Sequence, residues 1–247
     1  MKYLALTLAV LAGSLSAQEG GPIVNRTVFA TEAVTQVTSI TQVFGDGQKI
    51  VAAVVELAAP VKPGSVTASD FEVMDRTILS TRVSAHPALD APEATGRFLI
   101  LALDPQDAAA PVYDSGWDEA PQTVVSQVNA LTAVDGRVLP FSDKPILNTG
   151  LVNLIVDDFQ TLQFIDPVSG QVLAYNLFVP KNYDPAQAYP MVLFMHDAGV
   201  TGTNPRRTLQ QRLIAAVQAE WSVDADRIYA TGQSGGCMTS IALNMAH

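Results

Sequence analysis

The feature that most constrains the fold of this chain is a serine flanked by glycines between two short segments of different periodicity. The motif Gly232-Gln233-Ser234-Gly235-Gly236 follows the β-prone segment Arg227 to Thr231 and opens a segment, Gly236 to Ala246, that suits a helix. A sharp strand-to-helix turn strains the serine backbone, and flanking glycines remove side chains that would clash there. The pattern predicts a nucleophile elbow, with the Ser234 hydroxyl at the carboxyl end of a sheet.

An ordinary glycine-rich turn or a phosphate-binding loop is the alternative interpretation of this motif. The sequence contains no Gly-x-x-x-x-Gly-Lys-[Ser/Thr] motif and lacks the three spaced glycines of a dinucleotide fingerprint. No group of histidine, cysteine and carboxylate residues has metal-ligand spacing. We therefore favour a catalytic serine at Ser234 and expect neither a cofactor nor a metal.

A second segment supports this interpretation. Met191 to Met195 is a continuous apolar run, as expected of a strand buried on both faces, and His196-Asp197-Ala198-Gly199 follows it directly. A loop of small residues after such a strand supplies one N–H of an oxyanion hole, and the residue after the serine supplies the other. We expect these donors to be Asp197 or Ala198, together with Gly235, and we assign His196 a structural role.

The sequence divides into three parts. Residues 1–17 carry Lys2, an apolar run and small residues before a polar segment, which is typical of a secretory signal peptide. No later segment reaches 18 apolar residues, so we expect no membrane span and a secreted or periplasmic protein. Residues 22–150 form the second part and residues 151–247 the third.

The second part shows strand signals separated by Pro, Gly and Asp. The predicted strands are Thr35–Phe44, Gln48–Leu57, Ser65–Met74, Ile78–Val83, Arg97–Leu103, Val112–Tyr113, Gln122–Leu131 and Arg137–Phe141. Asp46-Gly47 between the first two predicts a hairpin. Strands of this number without a helical period favour an all-β sandwich, which we call immunoglobulin-like on strand number alone.

The third part alternates strands with helical patterns. Leu162–Ile165 and Leu173–Val179 flank a turn at Asp166 to Gly170 and predict an antiparallel hairpin, and Arg207–Trp221 has apolar residues at helical spacing. Strands that alternate with helices indicate a parallel sheet in an α/β layer structure.

These residues carry a resemblance to a known family. The segments Tyr175 to Asp184, Tyr189 to Gly199 and Asp224 to Gly236 resemble secreted α/β-hydrolase serine esterases, often described as predicted peptidases, of the poly(hydroxyalkanoate) depolymerase and feruloyl esterase group. Several such esterases carry an immunoglobulin-like N-terminal domain. The resemblance implies hydrolysis of a small-molecule or polymeric carboxylic ester by Ser234 through an acyl-enzyme.

The chain departs from the family pattern in three respects. Asp197 stands where the family commonly has glycine, and Gly235 where it often has a larger residue. In this fold the triad follows the order Ser, Asp/Glu, His, but 13 residues follow Ser234, ending at His247. The 38 residues from His196 to Ser234 are also few for an intermediate strand with two crossovers. We therefore expect an incomplete α/β-hydrolase domain with little or no turnover.

Two alternatives to an esterase remain. A non-catalytic secreted binding protein with a vestigial hydrolase domain accounts for the missing base, and a serine peptidase uses the same triad. The net charge of -10 argues against a nucleic-acid partner. The oligomeric state is left open.

Overall fold

The chain folds into two units, which meet in sequence between Leu154 and Ile155. The computed structural model describes residues 26–112, 121–197 and 207–245. The predicted signal peptide, residues 1–17, lies outside the described residues. Of the helices within them, none combines the length and the hydropathy needed to cross a membrane.

The first unit is built from ten strands in its described part. They are β1 (Val34–Phe44), β2 (Gly47–Val61), β3 (Phe71–Val73), β4 (Ile78–Ser84), β5 (Gly96–Leu103), β6 (Val124–Gln127), β7 (Leu131–Thr132), β8 (Val138–Leu139), β9 (Ile146–Leu147) and β10 (Gly150–Asn153). The largest sheet has the order β10-β1-β2-β5-β4, and a second has the order β3-β6-β9. Strands β7 and β8 form a separate antiparallel pair.

The hairpin predicted at Asp46-Gly47 is confirmed. Strands β1 and β2 are antiparallel, and Phe44 faces Gly47 at the closed end. Gly47 has φ +125°, a conformation that residues with a Cβ rarely adopt, so the glycine is what allows the chain to reverse here.

The core of the first unit lies on both faces of β2. One apolar cluster includes Ala53, Val55 and Leu57, and a second includes Ala52 and Val54. Because side chains alternate along a strand, these two clusters occupy opposite faces of the large sheet. The central strand is therefore buried on both sides.

Several of the predicted strands differ in extent from the observed ones, and Arg137–Phe141 is reduced to Val138–Leu139. Residues Ala68–Asp70 form a short 3-10 helix, because the Asp70 carboxylate accepts the N–H of Thr67 at 2.7 Å and so holds a turn. The predicted strand Gln122–Leu131 is interrupted after Gln127, whose side-chain amide donates to the carbonyl of Asn129. Val112 lies outside any strand, and Tyr113 lies outside the described residues.

The second unit contains two small sheets and two helices in its described part. These are β11 (Gln160–Ile165), β12 (Val172–Leu177), β13 (Tyr189–Met195), α1 (Arg207–Glu220), β14 (Val223–Gly232) and α2 (Gly235–Asn244). Strands β11 and β12 form the predicted antiparallel hairpin, and β13 and β14 pair in parallel.

The hairpin is joined to α1 by a buried carboxylate. Asp166, 1% exposed at its side chain, accepts a hydrogen bond from the Arg212 guanidinium at 2.6 Å. It also accepts from the hydroxyl and the N–H of Ser169 in the turn. The pKa of Asp166 lies below its usual value, chiefly because of the hydrogen bond from the Ser169 hydroxyl. Backbone N–H groups of the turn and the charge of Arg212 lower it further. The carboxylate thus fixes the hairpin turn and attaches it to the helix.

The expectation that β13 is buried on both faces is wrong. Val192 and Phe194 are 67% and 65% exposed, and Tyr229, the register partner of Val192 on β14, is 55% exposed. Met195 on the opposite face is buried. Within the described residues no layer covers the face that carries Val192, so the strand alternates in burial.

The connection between β13 and β14 also differs from the two-crossover arrangement considered above. The two strands are direct neighbours in the sheet, and α1 is the helix described between them. A single crossover therefore suffices, which explains how so short an interval can join them.

Candidate functional site

The parallel pair β13–β14 brings the two predicted site segments together. Met195, the last residue of β13, is the register partner of Gly232, the last residue of β14. Both strands therefore end at the same level of the sheet. His196 and Asp197 follow one strand end, and Gln233 and Ser234 follow the other.

Ser234 has the strained backbone predicted for an elbow. Its φ of 51° and ψ of -114° lie outside the regions that L-residues ordinarily populate. The residue stands between the last residue of β14 and the first residue of α2, and its side chain is exposed. The turn thus displays the hydroxyl at the end of the strand.

The two glycines around Ser234 are required by close packing against β13. A Cβ built at Gly236 would lie 2.0 Å from the carbonyl oxygen of Met195, and one built at Gly232 would lie 2.6 Å from the same oxygen. Real Cβ atoms do not approach backbone this closely, so both positions exclude side chains. The Met195 carbonyl also accepts the Gln233 N–H at 3.3 Å. The backbone of the elbow therefore packs closely against the end of β13.

The hydrogen bonds at the start of α2 orient the N–H of Gly235. The carbonyl of Ser234 points into the helix, where it accepts the N–H of Cys237 at 2.9 Å and that of Met238 at 3.3 Å. In a trans peptide the N–H is antiparallel to the C=O, so the Gly235 N–H points out of the helix. This N–H makes no backbone hydrogen bond within the described part of the chain. It is the donor predicted for an oxyanion hole, and the positive end of the helix dipole strengthens it.

Of the two residues predicted as the second oxyanion-hole donor, the structure describes Asp197. Asp197 is half-buried directly after His196, while Ala198 lies outside the described residues. The Nδ1 of His196 is 2.6 Å from the carbonyl oxygen of Asp197. Because a carbonyl only accepts, Nδ1 carries the proton. The ring thus bonds the loop that it belongs to, as expected of a structural histidine.

The Ser234 hydroxyl makes no hydrogen bond to any residue that the structure describes. His196 is the one histidine in the described part of the second unit, since His247 falls outside it. A group that could take the serine proton is therefore not in contact with it among these residues. Nor do the described residues contain a cluster of three or more potential metal ligands.

The sequence predicted the elbow but not the Met195 carbonyl, against which Gly232 and Gly236 pack. It also did not predict the Ser240 hydroxyl, which donates to the Gly236 carbonyl in the first turn of α2. The signal that could have indicated this bond is the position of Ser240, four residues after Gly236.

The fold and the site together define a β-rich first unit followed by a strand–elbow–helix unit with a displayed serine. Residues 36–140 match the family model of the esterase Ig-like N-terminal domain. The chain is also similar to a solved structure described as a thermostable esterase, with 25% identity and a TM-score of 0.68, over 82% of this chain and 72% of that one.

No curated protein matches the chain at a significant level. The two findings confirm the resemblance stated from the sequence: this chain is similar to an esterase with an immunoglobulin-like N-terminal domain.

Proposed function

We propose that this protein hydrolyses carboxylic esters with Ser234 as the nucleophile, through an acyl-enzyme, and that its second unit has the α/β-hydrolase fold. The observation that carries the proposal is the backbone of Ser234, with φ 51° and ψ -114°, held between two glycines that pack on the end of β13. A strained residue persists where the surrounding structure enforces it, and such residues cluster at functional sites.

The proposed reaction begins with attack of the Ser234 Oγ on the ester carbonyl. The Oγ–C bond forms as the carbonyl oxygen becomes an oxyanion, and the Gly235 N–H donates to that oxygen. A second N–H from Asp197 or Ala198 completes the pair of donors. The Ser234 proton passes to solvent, the bond between the ester carbon and the alkoxy oxygen breaks, and the alkoxide takes a proton from water and leaves as the alcohol. A second water then attacks the acyl-enzyme, which releases the acid and restores the Ser234 hydroxyl.

Asp197 is the unusual element of this arrangement. The residue is half-buried in the loop after β13, which we propose donates to the oxyanion. A negative charge close to a developing oxyanion raises the energy of the transition state, because like charges repel more strongly where water is scarce. This charge leads us to expect slow turnover.

The test compares Ser234→Ala with Ser222→Ala in the full chain. Ser222 precedes β14 at its other end, where its hydroxyl donates to the Pro185 carbonyl, so it is a matched serine away from the elbow. We expect a p-nitrophenyl phosphonate to label Ser234 once per chain, and p-nitrophenyl acetate to be turned over by the parent and by Ser222→Ala.

Ser234→Ala should lose both the label and at least about a hundredfold in kcat, because the covalent step is removed. Label on another residue, or turnover by Ser234→Ala at the parent rate, would overturn the proposal. Parallel assays with p-nitroanilides separate an esterase from a peptidase.

A second candidate function rests on a groove in the first unit. The groove has a volume of about 630 Å³ and is lined by β3 and β6, with Glu72 and Ser126 paired across the two strands. It fits the alternative of a binding protein for a polymer chain. Ser126→Trp in the full chain should fill the groove and abolish retention on insoluble polyester or glycan, whereas unchanged retention would refute this role.

A further inference from the structure

The first turn of α2 is unusual because it begins with two glycines. Glycine is a poor helix former, so this turn needs support from elsewhere if its N–H groups are to stay fixed. Ser240, 6% exposed on the buried face of the helix, provides such support. Its Oγ donates to the carbonyl of Gly236 at 2.9 Å.

This hydrogen bond is the start of a chain that ends at the predicted oxyanion donor. The Gly236 carbonyl belongs to the same peptide as the N–H of Cys237, and that N–H donates to the Ser234 carbonyl at 2.9 Å. The Ser234 carbonyl in turn belongs to the same peptide as the N–H of Gly235. Because each peptide is planar and trans, the N–H groups of Cys237 and Gly235 point in the same direction, toward the N-terminal end of α2.

We propose that Ser240 is a positioning residue for the oxyanion hole, acting on the Gly235 N–H through these two peptides. The inference deepens the proposed function and rests on it. Aligned hydrogen bonds polarise one another, by about 10–30% per bond. The Ser240 hydroxyl therefore both restrains the Gly235 N–H and makes it a stronger donor to developing negative charge.

Thr239 provides a matched control one residue earlier in the same helix. Its Oγ1 donates to the Gly235 carbonyl at 2.9 Å, and the N–H of that same peptide, from Gly236, donates to the Gln233 carbonyl at 2.8 Å. This second chain ends at the N–H of Ser234 rather than at that of Gly235. Loss of the Thr239 hydroxyl should therefore leave the oxyanion donor unaffected.

The kinetic test measures kcat and KM for a p-nitrophenyl ester with Ser240→Ala, Ser240→Thr and Thr239→Val in the full chain. Deleting an oxyanion donor outright costs about 10²–10³ in kcat. Since Ser240→Ala keeps the donor but weakens it, we expect kcat to fall about 5- to 20-fold with KM unchanged. Ser240→Thr, which restores the hydroxyl, and Thr239→Val should stay within about twofold of the parent.

A spectroscopic test separates this proposal from the proposed function. With ¹⁵N-glycine, the Gly235 amide proton should move upfield in Ser240→Ala but not in Thr239→Val, because only the first variant removes the hydroxyl that polarises the Gly235 peptide. If Ser234→Ala retains the parent turnover, the esterase proposal fails, but the amide measurement still tests whether Ser240 acts on the Gly235 N–H. Equal changes in Ser240→Ala and Thr239→Val, or none in either, overturn the role of Ser240.

Discussion

Replacement of Ser234 by glycine should stabilise the second unit relative to replacement by alanine. The mirror image of φ 51°, ψ -114° falls in the ordinary extended region, so glycine, which has no Cβ, adopts the observed conformation without strain. Alanine retains the Cβ and therefore the strain. Both variants remove the hydroxyl, so the pair isolates the backbone.

The expected difference follows from two opposing contributions. A residue held in such a conformation stores about 1–3 kcal/mol, and the greater freedom of glycine in the unfolded chain offsets about 0.4–1 kcal/mol. Ser234→Gly should thus exceed Ser234→Ala in free energy of unfolding by about 1 kcal/mol. In a unit of this size that difference raises Tm by about 4–8 °C.

The assay is urea and thermal unfolding of the two variants, followed by far-ultraviolet circular dichroism. Ile241, 55% exposed in the middle of α2, supplies the control. At that helical position glycine should be less stable than alanine by about 1 kcal/mol, so the sign of the difference reverses within one short segment. If alanine were as stable as glycine at Ser234, the claim of strain at the elbow would be refuted.

Three further predictions concern packing and charge. Gly236→Ala places a Cβ 2.0 Å from the Met195 carbonyl oxygen, so the elbow should shift and urea unfolding should show a loss of about 2–3 kcal/mol; parent-like stability would contradict the close approach. Asp166→Asn should destabilise the protein at pH 7, and because the folded pKa lies below the unfolded value, the difference should begin to shrink below about pH 4 and be lost as the pH falls through the folded pKa; a difference that does not change with pH would contradict an ionised Asp166. Leu101→Ala in the fully buried core should cost about 2–5 kcal/mol in chemical unfolding, while Leu79→Ala, 58% exposed, should cost under about 0.5 kcal/mol; similar losses would contradict the assigned core.

Local turn chemistry made much of the fold predictable from the sequence. Asp46-Gly47 and the turn from Asp166 to Gly170 each lie between β-prone runs, and both form the expected hairpins. The elbow was predictable for the same reason, since Gly232 and Gly236 meet a steric requirement that can be recognised from sequence. In each case neighbouring residues determine the backbone.

The errors arose where distant parts of the chain decide the outcome. The apolar run at β13 predicted burial on both faces, but whether Val192 and Phe194 are covered depends on the layers around the sheet, which a run of residues does not encode. The position of the Met195 carbonyl against Gly236 likewise depends on the register between two strands. Ala198, the remaining predicted donor, lies outside the described residues and stays a prediction.

The parallel pairing of β1 with β10 has a consequence for how the protein is made. Thr38 on β1 faces Gly150 on β10, and the Leu154 N–H continues the pairing by donating to the Thr41 carbonyl. Contacts between residues so far apart in sequence form slowly, because a long loop must close first. During synthesis β1 is translated early, but it cannot pair with β10 until nearly the whole first unit has been translated. We therefore expect nascent chains that end before residue 150 to expose an edge strand and to depend on chaperones until β10 arrives.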